Sequence, residues 1–284
     1  MSSDSVGDEL KGTVALVTGA GRGLGRAMAL ALAHSGARVG VVARSEEQLA
    51  ETVRGVTAAG GEALAVVADV SDAAAAARLA GEVESRLGPV GVLVNNAGTM
   101  GPLGPMWEAE PDEWWRAIAV NLLGPYLCSR AVLPRMIERR RGRIINVSTN
   151  AATVAVAHMG AYVVAKTALL RFTETLAAEL ANSGVRVFAM GPGTVRTAMT
   201  DYVLASEAGK KWLPWFRKIF DRGRDLPAEQ AAQLVVQLAA GRADGLAGRF
   251  IEVSDDLEAL LHREEEVKRD DLYLLRVRKL APGK

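Results

Sequence analysis

One stretch near the start of the chain, residues 13–33, constrains the fold more than any other part of the sequence. It reads TVALVTGAGRGLGRAMALALA. Residues 13–17 are mostly apolar and rich in β-branched side chains, which predicts a buried parallel strand. Four glycines follow, and the apolar residues after them recur at helical spacing. A strand, a glycine turn and a helix in this order place free N–H groups at a helix N-terminus, where they can bind a phosphate.

The glycine spacing is Gly19-x-x-x-Gly23-x-Gly25, which differs from the G-x-G-x-x-G dinucleotide fingerprint. The nearest register starts at Gly21 and fails at Arg26. Taken alone, the stretch therefore leaves two alternatives, a phosphate site and a tight strand-to-helix connection that binds no ligand.

Short apolar strands alternate with helices along most of the remaining chain. Strands are predicted at residues 38–43, 63–68, 91–94, 143–148, 185–190 and 250–253. Helices are predicted after a capping box at Ser45 to residue 59, after a cap at Ser71 or Asp72 to residue 87, at about 112–138 and at 160–181. This alternation predicts an α/β fold, a single-domain, Rossmann-like, doubly wound sheet of about seven mostly parallel strands with helices on both faces.

Composition argues against several classes of function. Of the 284 residues 49% are hydrophobic, yet no uninterrupted apolar run approaches the ~18 residues that span a membrane. The formal net charge of +1 gives no reason to expect nucleic acid or an anionic membrane as a partner. The single cysteine, Cys128, excludes an intrachain disulfide, and His34, His158 and His262 have no metal-ligand spacing. We therefore expect a cytoplasmic protein without a metal site.

Polar residues lie at or just past the predicted ends of several strands. They are Arg44, Asp69, Asn95 and the pair Ser148–Thr149. Open parallel sheets bind ligands at the carboxyl ends of their strands, where the strand order reverses. Together with the glycine turn, these residues predict a ligand site at one edge of the sheet.

Two arginines bear on which dinucleotide such a site would take. An NAD site usually has an acidic residue at the end of the second strand, where it binds the ribose 2′-hydroxyl. Here Arg44 stands at that end, and Arg22 lies inside the glycine turn. Two guanidinium groups able to flank a 2′-phosphate favour NADP, with NAD as the alternative. Both arginines could equally be solvated surface residues.

A tyrosine and a lysine form the candidate chemical pair. Tyr162 and Lys166 are four residues apart in a predicted helix, so their side chains share one face. A free tyrosine has a pKa of about 10. A nearby ammonium stabilises the phenolate and lowers that pKa, which would let the tyrosine exchange a proton with a carbonyl or alcohol oxygen. By itself the spacing is also typical of a solvated pair.

Taken in order, these motifs resemble the short-chain dehydrogenase/reductase family. The chain has TGAGRGLG at residues 18–25, NNAG at 95–98, Asn121, Ser148–Thr149, Tyr162-x-x-x-Lys166 and Pro192–Gly193. The motifs span residues 13–197, and the pattern of strands and helices extends the resemblance to about residue 253. Each motif alone is weak, whereas the combination is specific.

The resemblance implies a catalytic set of four residues. Tyr162 would be the general acid/base, Lys166 would lower its pKa and hold the nicotinamide ribose, and Asn121 would bind a water in a proton relay. The family's substrate-orienting hydroxyl usually lies thirteen residues before the tyrosine, which is Thr149 here, where the family normally has Ser. Ser148 is the alternative and better suits packing at a strand end.

The resemblance also implies the residues that contact the cofactor. Asp69 and Val70 would bracket the adenine, and Val195 and Thr197 would contact the carboxamide. Asp69 could instead be a turn residue and Asn95 a structural bridge between strands. The complete implied set is Gly19, Arg22, Gly23, Leu24, Arg44, Asp69, Val70, Asn95, Ala97, Gly98, Tyr162, Lys166, Pro192, Gly193, Val195 and Thr197.

The sequence is predicted to have three parts, and the last of them departs from the commonest ending of the family. Residues 1–10 are a polar extension, and residues 11–253 form the dinucleotide-binding catalytic domain with a lid at about 198–226. The lid is rich in aromatic residues, which either cover an apolar substrate or pack the lid on the domain or on a second subunit. Residues 254–284 are expected to form a helix and an arm packed on the domain or on a neighbouring subunit.

The expected function is hydride transfer between NADP(H) or NAD(H) and a small-molecule ketone or secondary alcohol of apolar character. One alternative is a 3-oxoacyl thioester reductase, since the basic lid residues could contact a phosphopantetheine carrier or coenzyme A. An alternative of another class is a dinucleotide-sensing binding protein on the same fold. The resemblance further implies a homodimer or homotetramer.

Overall fold

A seven-stranded sheet forms the centre of the protein in a computed structural model that describes residues 9–278. Its strands are β1 (Val14–Thr18), β2 (Arg38–Ala43), β3 (Ala63–Val67), β4 (Val90–Asn95), β5 (Gly142–Val147), β6 (Val185–Gly191) and β7 (Phe250–Glu252). Their spatial order is β3-β2-β1-β4-β5-β6-β7, and every neighbouring pair is parallel. The order reverses between β1 and β4, where such sheets place their ligand sites. The predicted fold class is confirmed.

Helices cover both faces of this sheet. They are α1 (Gly23–His34), α2 (Glu46–Ala58), α3 (Ala73–Leu87), α4 (Pro111–Ile118), α5 (Gly124–Glu138), α6 (Gly160–Glu179), α7 (Ala198–Ala205), α8 (Glu207–Trp212), α9 (Pro214–Asp221), α10 (Ala228–Ala239), α11 (Leu257–His262) and α12 (Glu264–Arg269). One core cluster joins α1, α2 and α10 to the sheet, and a second joins α3, α5 and α6 to it. Burial on both faces explains why the strands read as nearly continuous apolar runs.

Several predicted limits shift by a residue or more. β1 begins at Val14 rather than one residue earlier and extends to Thr18, because Val14 pairs with Arg38 and Thr18 with Val42. Asp72, not Ser71, caps α3, since its carboxylate accepts the Ala75 N–H at 2.9 Å. The predicted helix 112–138 begins at residue 111, and a π-turn over Ala119–Leu123 interrupts it between α4 and α5.

The stretch Pro111–Glu138 also bears on membrane association. Within residues 9–278 it is the one helical stretch that could cross a membrane by length and composition alone. In the fold, α5 packs against α3, β4 and β5, and its buried side chains Leu127, Cys128, Val132 and Met136 belong to the domain core.

The two ends of the described chain pack on the domain. Leu10, assigned to the polar extension, is only 2% exposed and donates its N–H to the Ser35 carbonyl. At the other end, two short helices replace the single expected helix, and an arm continues to residue 278. The arm contacts its own domain, because Tyr273 accepts the Phe250 N–H at 3.0 Å. Residues 1–8 and 279–284 of the predicted end segments lie outside the described residues.

Candidate active site

The glycine turn after β1 brings two backbone segments into direct contact. A Cβ added to Gly25 would lie 2.3 Å from the Gly19 carbonyl oxygen and 2.4 Å from Asn96 Nδ2. A Cβ at Gly19, whose φ is +65°, would lie 2.8 Å from Ala97 Cα. Only glycine fits at these positions without a shift of the backbone, so the turn rests closely on the segment that follows β4.

Hydrogen bonds of Thr18 and Asn96 hold this turn against the end of β4. The Thr18 hydroxyl accepts the N–H groups of Asn96 at 3.0 Å and Ala97 at 3.1 Å. In return the Asn96 amide donates to the carbonyl of Thr18 at 2.9 Å and to that of Gly19 at 3.3 Å. Both residues lie within the motifs that carry the family resemblance, and their place at the ends of two neighbouring strands is the sequence signal for this contact.

Arg26, which breaks the G-x-G-x-x-G register, ties the turn to α2. Its guanidinium donates to the Gly21 carbonyl, to Thr52 Oγ1 at 3.1 Å and to Glu51 Oε2 at 2.6 Å. The Thr52 hydroxyl in turn donates to the Ala20 carbonyl at 2.8 Å. The sequence shows at position 26 only that a glycine is missing, and it gives no signal for these contacts.

The N-terminus of α1 fits a phosphate group. Arg22 occupies its N-cap position without a side-chain cap, and no acidic residue lies in the first turn. The first N–H groups of this helix are therefore not capped by a side chain, and the positive end of its dipole faces the carboxyl edge of the sheet. Leu24, next in the turn, packs against the core through its side chain.

The ends of β2 and β3 place an arginine and an aspartate side by side. Arg44 is 78% exposed and lies 4.0 Å from the Asp69 carboxylate. Asp69 accepts both the N–H and the hydroxyl of Ser71, and these bonds hold its pKa below the ordinary value, with a further contribution from Arg44. Val70 is buried against Gly124, at the start of α5. Asp69 thus has the contacts expected of a turn residue, and its carboxylate lies at the carboxyl edge of the sheet.

The segment after β6 returns to the glycine turn. It runs from Pro192 through Gly193, whose φ is +69°, and Val195 pairs with Leu226 at the end of the lid. Thr197 caps α7 and lies across from the turn, since a Cβ on Gly23 would come within 3.4 Å of its Cγ2. This segment and the turn therefore form two walls of one cleft.

The residues of the predicted catalytic set meet at the start of α6. The Tyr162 side chain hydrogen-bonds the Thr149 side chain. Lys166 is 4% exposed and donates from Nζ to the Val147 carbonyl at 2.7 Å, and Nζ lies 6.0 Å from the centre of the Tyr162 ring. Ser148 instead donates to the Lys166 carbonyl at 3.3 Å within the core. Thr149, rather than Ser148, therefore faces the tyrosine.

Burial dominates the protonation of this pair. It raises the pKa of Tyr162 to about 12, against the smaller opposing effect of the hydrogen bond with Thr149. It also lowers the pKa of Lys166 to about 8. Sequence reasoning expected a lowered tyrosine pKa; in this structure desolvation outweighs such an effect. At neutral pH the tyrosine is therefore protonated and the lysine is still mainly an ammonium.

Asn121 lies fully buried in the π-turn that packs against α6. Its amide donates to the carbonyls of Thr99 at 2.7 Å and Ala117 at 2.9 Å, and its oxygen accepts the Thr99 N–H at 3.3 Å. A Cβ on Gly98 would lie 2.9 Å from that oxygen. The side chain thus fixes the segment after β4 through three hydrogen bonds to backbone groups. Its role in binding a water stays a prediction.

The Asn95 side chain makes contacts between strands, as expected if it is a structural bridge. Its amide nitrogen donates to Asn146 Oδ1 at 2.8 Å, while Asn146 donates to Thr173 at 2.9 Å. The Ser129 hydroxyl lies 3.3 Å from the same nitrogen. These contacts join the ends of β4 and β5 to α5 and α6, while the buried Asn95 Oδ1 accepts no hydrogen bond from the described residues.

Apolar side chains of the predicted lid, residues 198–226, pack around Tyr162 together with Met100 and Met159. We call the group formed by these side chains the lid cluster. Its buried members are Met100, Met159, Val203, Leu213 and Phe216. Tyr162, Met199 and Phe220 pack against it with five further partly buried residues. The environment of the tyrosine on this side is therefore apolar.

Comparison with known proteins identifies the family. The sequence model described as short chain dehydrogenase matches residues 13–208. The chain belongs to the short-chain dehydrogenase/reductase family. It is 37% identical over 284 aligned positions to a short chain dehydrogenase from Pseudocercospora fijiensis, covering 95% of this chain and 90% of that one.

Solved structures agree with this assignment. Levodione reductase superposes with a TM-score of 0.79 at 29% identity, covering 86% of this chain and 96% of its own. A metagenomic short-chain oxidoreductase in complex with NADP superposes with a TM-score of 0.69 at 36% identity, covering 82% and 92%. The chain is thus a member of a family of oxidoreductases that use NAD(P).

Proposed function

We propose that the protein is an NADP-preferring reductase of apolar ketones, with Tyr162 as the general acid/base and Lys166 and Thr149 as its catalytic partners. The observation that carries the proposal is the hydrogen bond between Tyr162 and Thr149, one helical turn from the buried Lys166 and under an apolar lid. The alternative of a dinucleotide-sensing protein needs none of these groups.

The cofactor cleft fits a dinucleotide. The contacts of Gly19 and Gly25 hold the turn against the segment after β4, and the uncapped N-terminus of α1 beside it suits a phosphate. Arg22 and Arg44, both exposed at this edge, would bind a 2′-phosphate. The NADP complex of a structural relative supports the same preference.

The chain's own groups would handle the proton. When bound, NADPH supplies the hydride to the carbonyl carbon. The Tyr162 hydroxyl, protonated at neutral pH, donates its proton to the carbonyl oxygen as negative charge develops there. The Thr149 hydroxyl orients that oxygen, and the ammonium of Lys166 stabilises the phenolate that remains. The lid cluster excludes water from the reacting atoms.

The test is turnover with and without the tyrosine hydroxyl. Purified protein is assayed by absorbance for oxidation of NADPH and NADH with apolar ketones, quinones and 3-oxoacyl thioesters. For Tyr162→Phe we expect kcat to fall by a factor of about 100 to 10,000, the usual contribution of a general acid. NADPH affinity, measured by calorimetry, should change little.

Retained turnover in Tyr162→Phe would refute the acid/base assignment. Tight dinucleotide binding with no turnover of any substrate class would favour the sensing alternative, and turnover confined to the thioesters would replace the ketone with a 3-oxoacyl substrate.

A further inference from the structure

Glu252, the last residue of β7, reaches across a neighbouring strand to the segment that carries Thr149. Its Oε2 accepts an N–H of the Asn150 side-chain amide at 3.0 Å. Asn150 directly follows Thr149 just past the end of β5, and β6 lies between β5 and β7 in the sheet. The glutamate side chain therefore passes over the end of β6.

A glycine at the end of β6 leaves room for this side chain. Gly191 is the partner of Glu252 in the parallel register of β6 and β7. A Cβ added to Gly191 would lie 2.8 Å from Glu252 Cγ, so the glutamate stem occupies the space that a side chain at this position would take. The backbone of Glu252 is fixed as well, because its N–H donates to the Asp255 carboxylate at 2.7 Å. Both the origin and the path of the side chain are thus defined by its surroundings.

The turn that follows Thr149 sets the direction of the threonine hydroxyl. Residues Asn150–Ala152 form a short 3₁₀ turn, and the Thr149 hydroxyl caps it by accepting the Ala151 N–H at 3.3 Å. A hydroxyl group has two lone pairs and one hydrogen. Because the turn takes one lone pair, the remaining lone pair and the hydrogen serve the bond with Tyr162 and a substrate oxygen.

Side chains from two other elements hold this turn at its ends. Thr167 of α6 donates from its hydroxyl to the Ala152 carbonyl at 2.8 Å, which fixes the far end. Glu252 of β7 fixes the near end through Asn150, an exposed residue. Loss of the second contact would free the residue that is covalently joined to Thr149.

We propose that Glu252 is a positioning residue that acts through Asn150 and keeps the Thr149 hydroxyl directed at Tyr162 and at the substrate carbonyl oxygen. This inference rests on the proposed function, in which Thr149 orients that oxygen. The contact needs an acceptor at position 252 and a donor at position 150, and it does not need a charge. Glu252→Gln should therefore preserve the positioning, whereas Glu252→Ala should lose it.

The size of the effect follows from the strength of one hydrogen bond. Such a bond shifts an equilibrium by about 2- to 10-fold. In Glu252→Ala the fraction of molecules with a correctly directed Thr149 hydroxyl should fall by up to that factor, and kcat should fall with it.

The first measurement needs no turnover. The chain has four tyrosines, so NMR of protein with isotopically labelled tyrosine gives few Cζ signals, and Tyr162→Phe assigns that of Tyr162. The chemical shift of Cζ responds to hydrogen bonding of the phenol, and Thr149→Val gives its value without the threonine hydroxyl. Glu252→Ala should move the Tyr162 signal toward that value, and Glu252→Gln should not. The matched control Glu258→Ala, which removes an exposed carboxylate from α11, should also leave the signal in place.

An exchange of donor and acceptor tests the contact itself. Asn150→Asp places two carboxylates together and should move the Tyr162 signal at least as far as Glu252→Ala does. Combining Asn150→Asp with Glu252→Gln restores one donor and one acceptor in the reverse order, so the signal should return toward its wild-type position. A double variant that shows no such return would overturn the proposal.

Kinetics connects the contact to catalysis. In the ketone assay the loss of kcat in Glu252→Ala should vanish in a Thr149→Val background, where no hydroxyl is left to direct. Equal losses in both backgrounds, or a Tyr162 signal that Glu252→Ala does not move, would overturn the positioning role even if the wild type is an active reductase. If the signal moves as expected while the wild type reduces no ketone, the proposed function fails and the positioning of Thr149 against Tyr162 stands.

Discussion

The glycine turn and the lid cover the same cleft, but different forces hold them in place. The turn is fixed by close contact between backbone segments and by hydrogen bonds such as those between Thr18 and Asn96. The lid is held mainly by apolar and aromatic packing, with Phe216 in the buried cluster and Trp212 against His158. A rigid turn suits the proposed cofactor, whose shape does not vary. Side-chain packing in the lid can differ from one family member to another and so suit different substrates.

This comparison predicts that the largest effect follows from adding one methyl group to the turn. Gly25→Ala would drive its Cβ into the Gly19 carbonyl and the Asn96 amide. Overpacking costs about 1–3 kcal/mol, so NADPH affinity measured by calorimetry should fall by up to about 100-fold. The matched control is Gly81→Ala, because a Cβ at that helical position meets nothing within 4 Å. Equal affinities of the two variants would contradict the rigid interpretation of the turn.

The second prediction concerns Lys166, which lies between the two regions. Its folded pKa is about 8, below its ordinary 10.5, so the lysine loses its charge as the pH rises through 8. Because the ammonium stabilises the phenolate, kcat/KM for ketone reduction should fall about tenfold per pH unit above that value. Tyr162, with a pKa of about 12, would cause a decline only at much higher pH.

Lys166→Arg is the variant that assigns this decline. A guanidinium stays charged throughout the accessible range, so the decline near pH 8 should disappear even if the rate itself is lower. A decline that persists unchanged in the variant would assign it to another group.

The smallest effect on cofactor binding is expected at Arg44, because its side chain is exposed to solvent. Arg44 is largely exposed, and exposed ionic contacts contribute up to about 1 kcal/mol. Arg44→Ala should therefore weaken NADPH binding about fivefold and leave NADH binding unchanged, as measured by titration of both cofactors. Arg54→Ala, a change at an exposed arginine within α2, serves as the control. Equal losses for the two cofactors would remove the argument for a 2′-phosphate contact.

Much of the fold was predictable from the sequence because its signals are local. Apolar runs separated by helical periods predicted all seven strands in order, and parallel strands place their carboxyl ends at one edge. The errors were also local: the limits of β1, and the π-turn at Asn121, which helical periodicity does not distinguish from a continuous helix.

The candidate site was predictable as a set of motifs but not as a set of contacts. The spacing of Tyr162 and Lys166 placed them on one face of α6, yet the degree of burial that sets their pKa values depends on the packing of the lid and β5. Which of Ser148 and Thr149 faces the tyrosine depends on how the strand end is oriented against α6.

The sequence by itself determined the order of the elements, the glycine turn and the identity of the chemical groups, because hydrophobic period and residue type act over short stretches of chain. Only the tertiary structure decided that Arg26 secures the turn, that the Asn95 amide donates to Asn146 of β5 and that the Trp212 ring lies against His158. Each of these residues contacts a partner between 22 and 54 positions away in the sequence. Such contacts depend on how the elements pack, so no local sequence pattern predicts them.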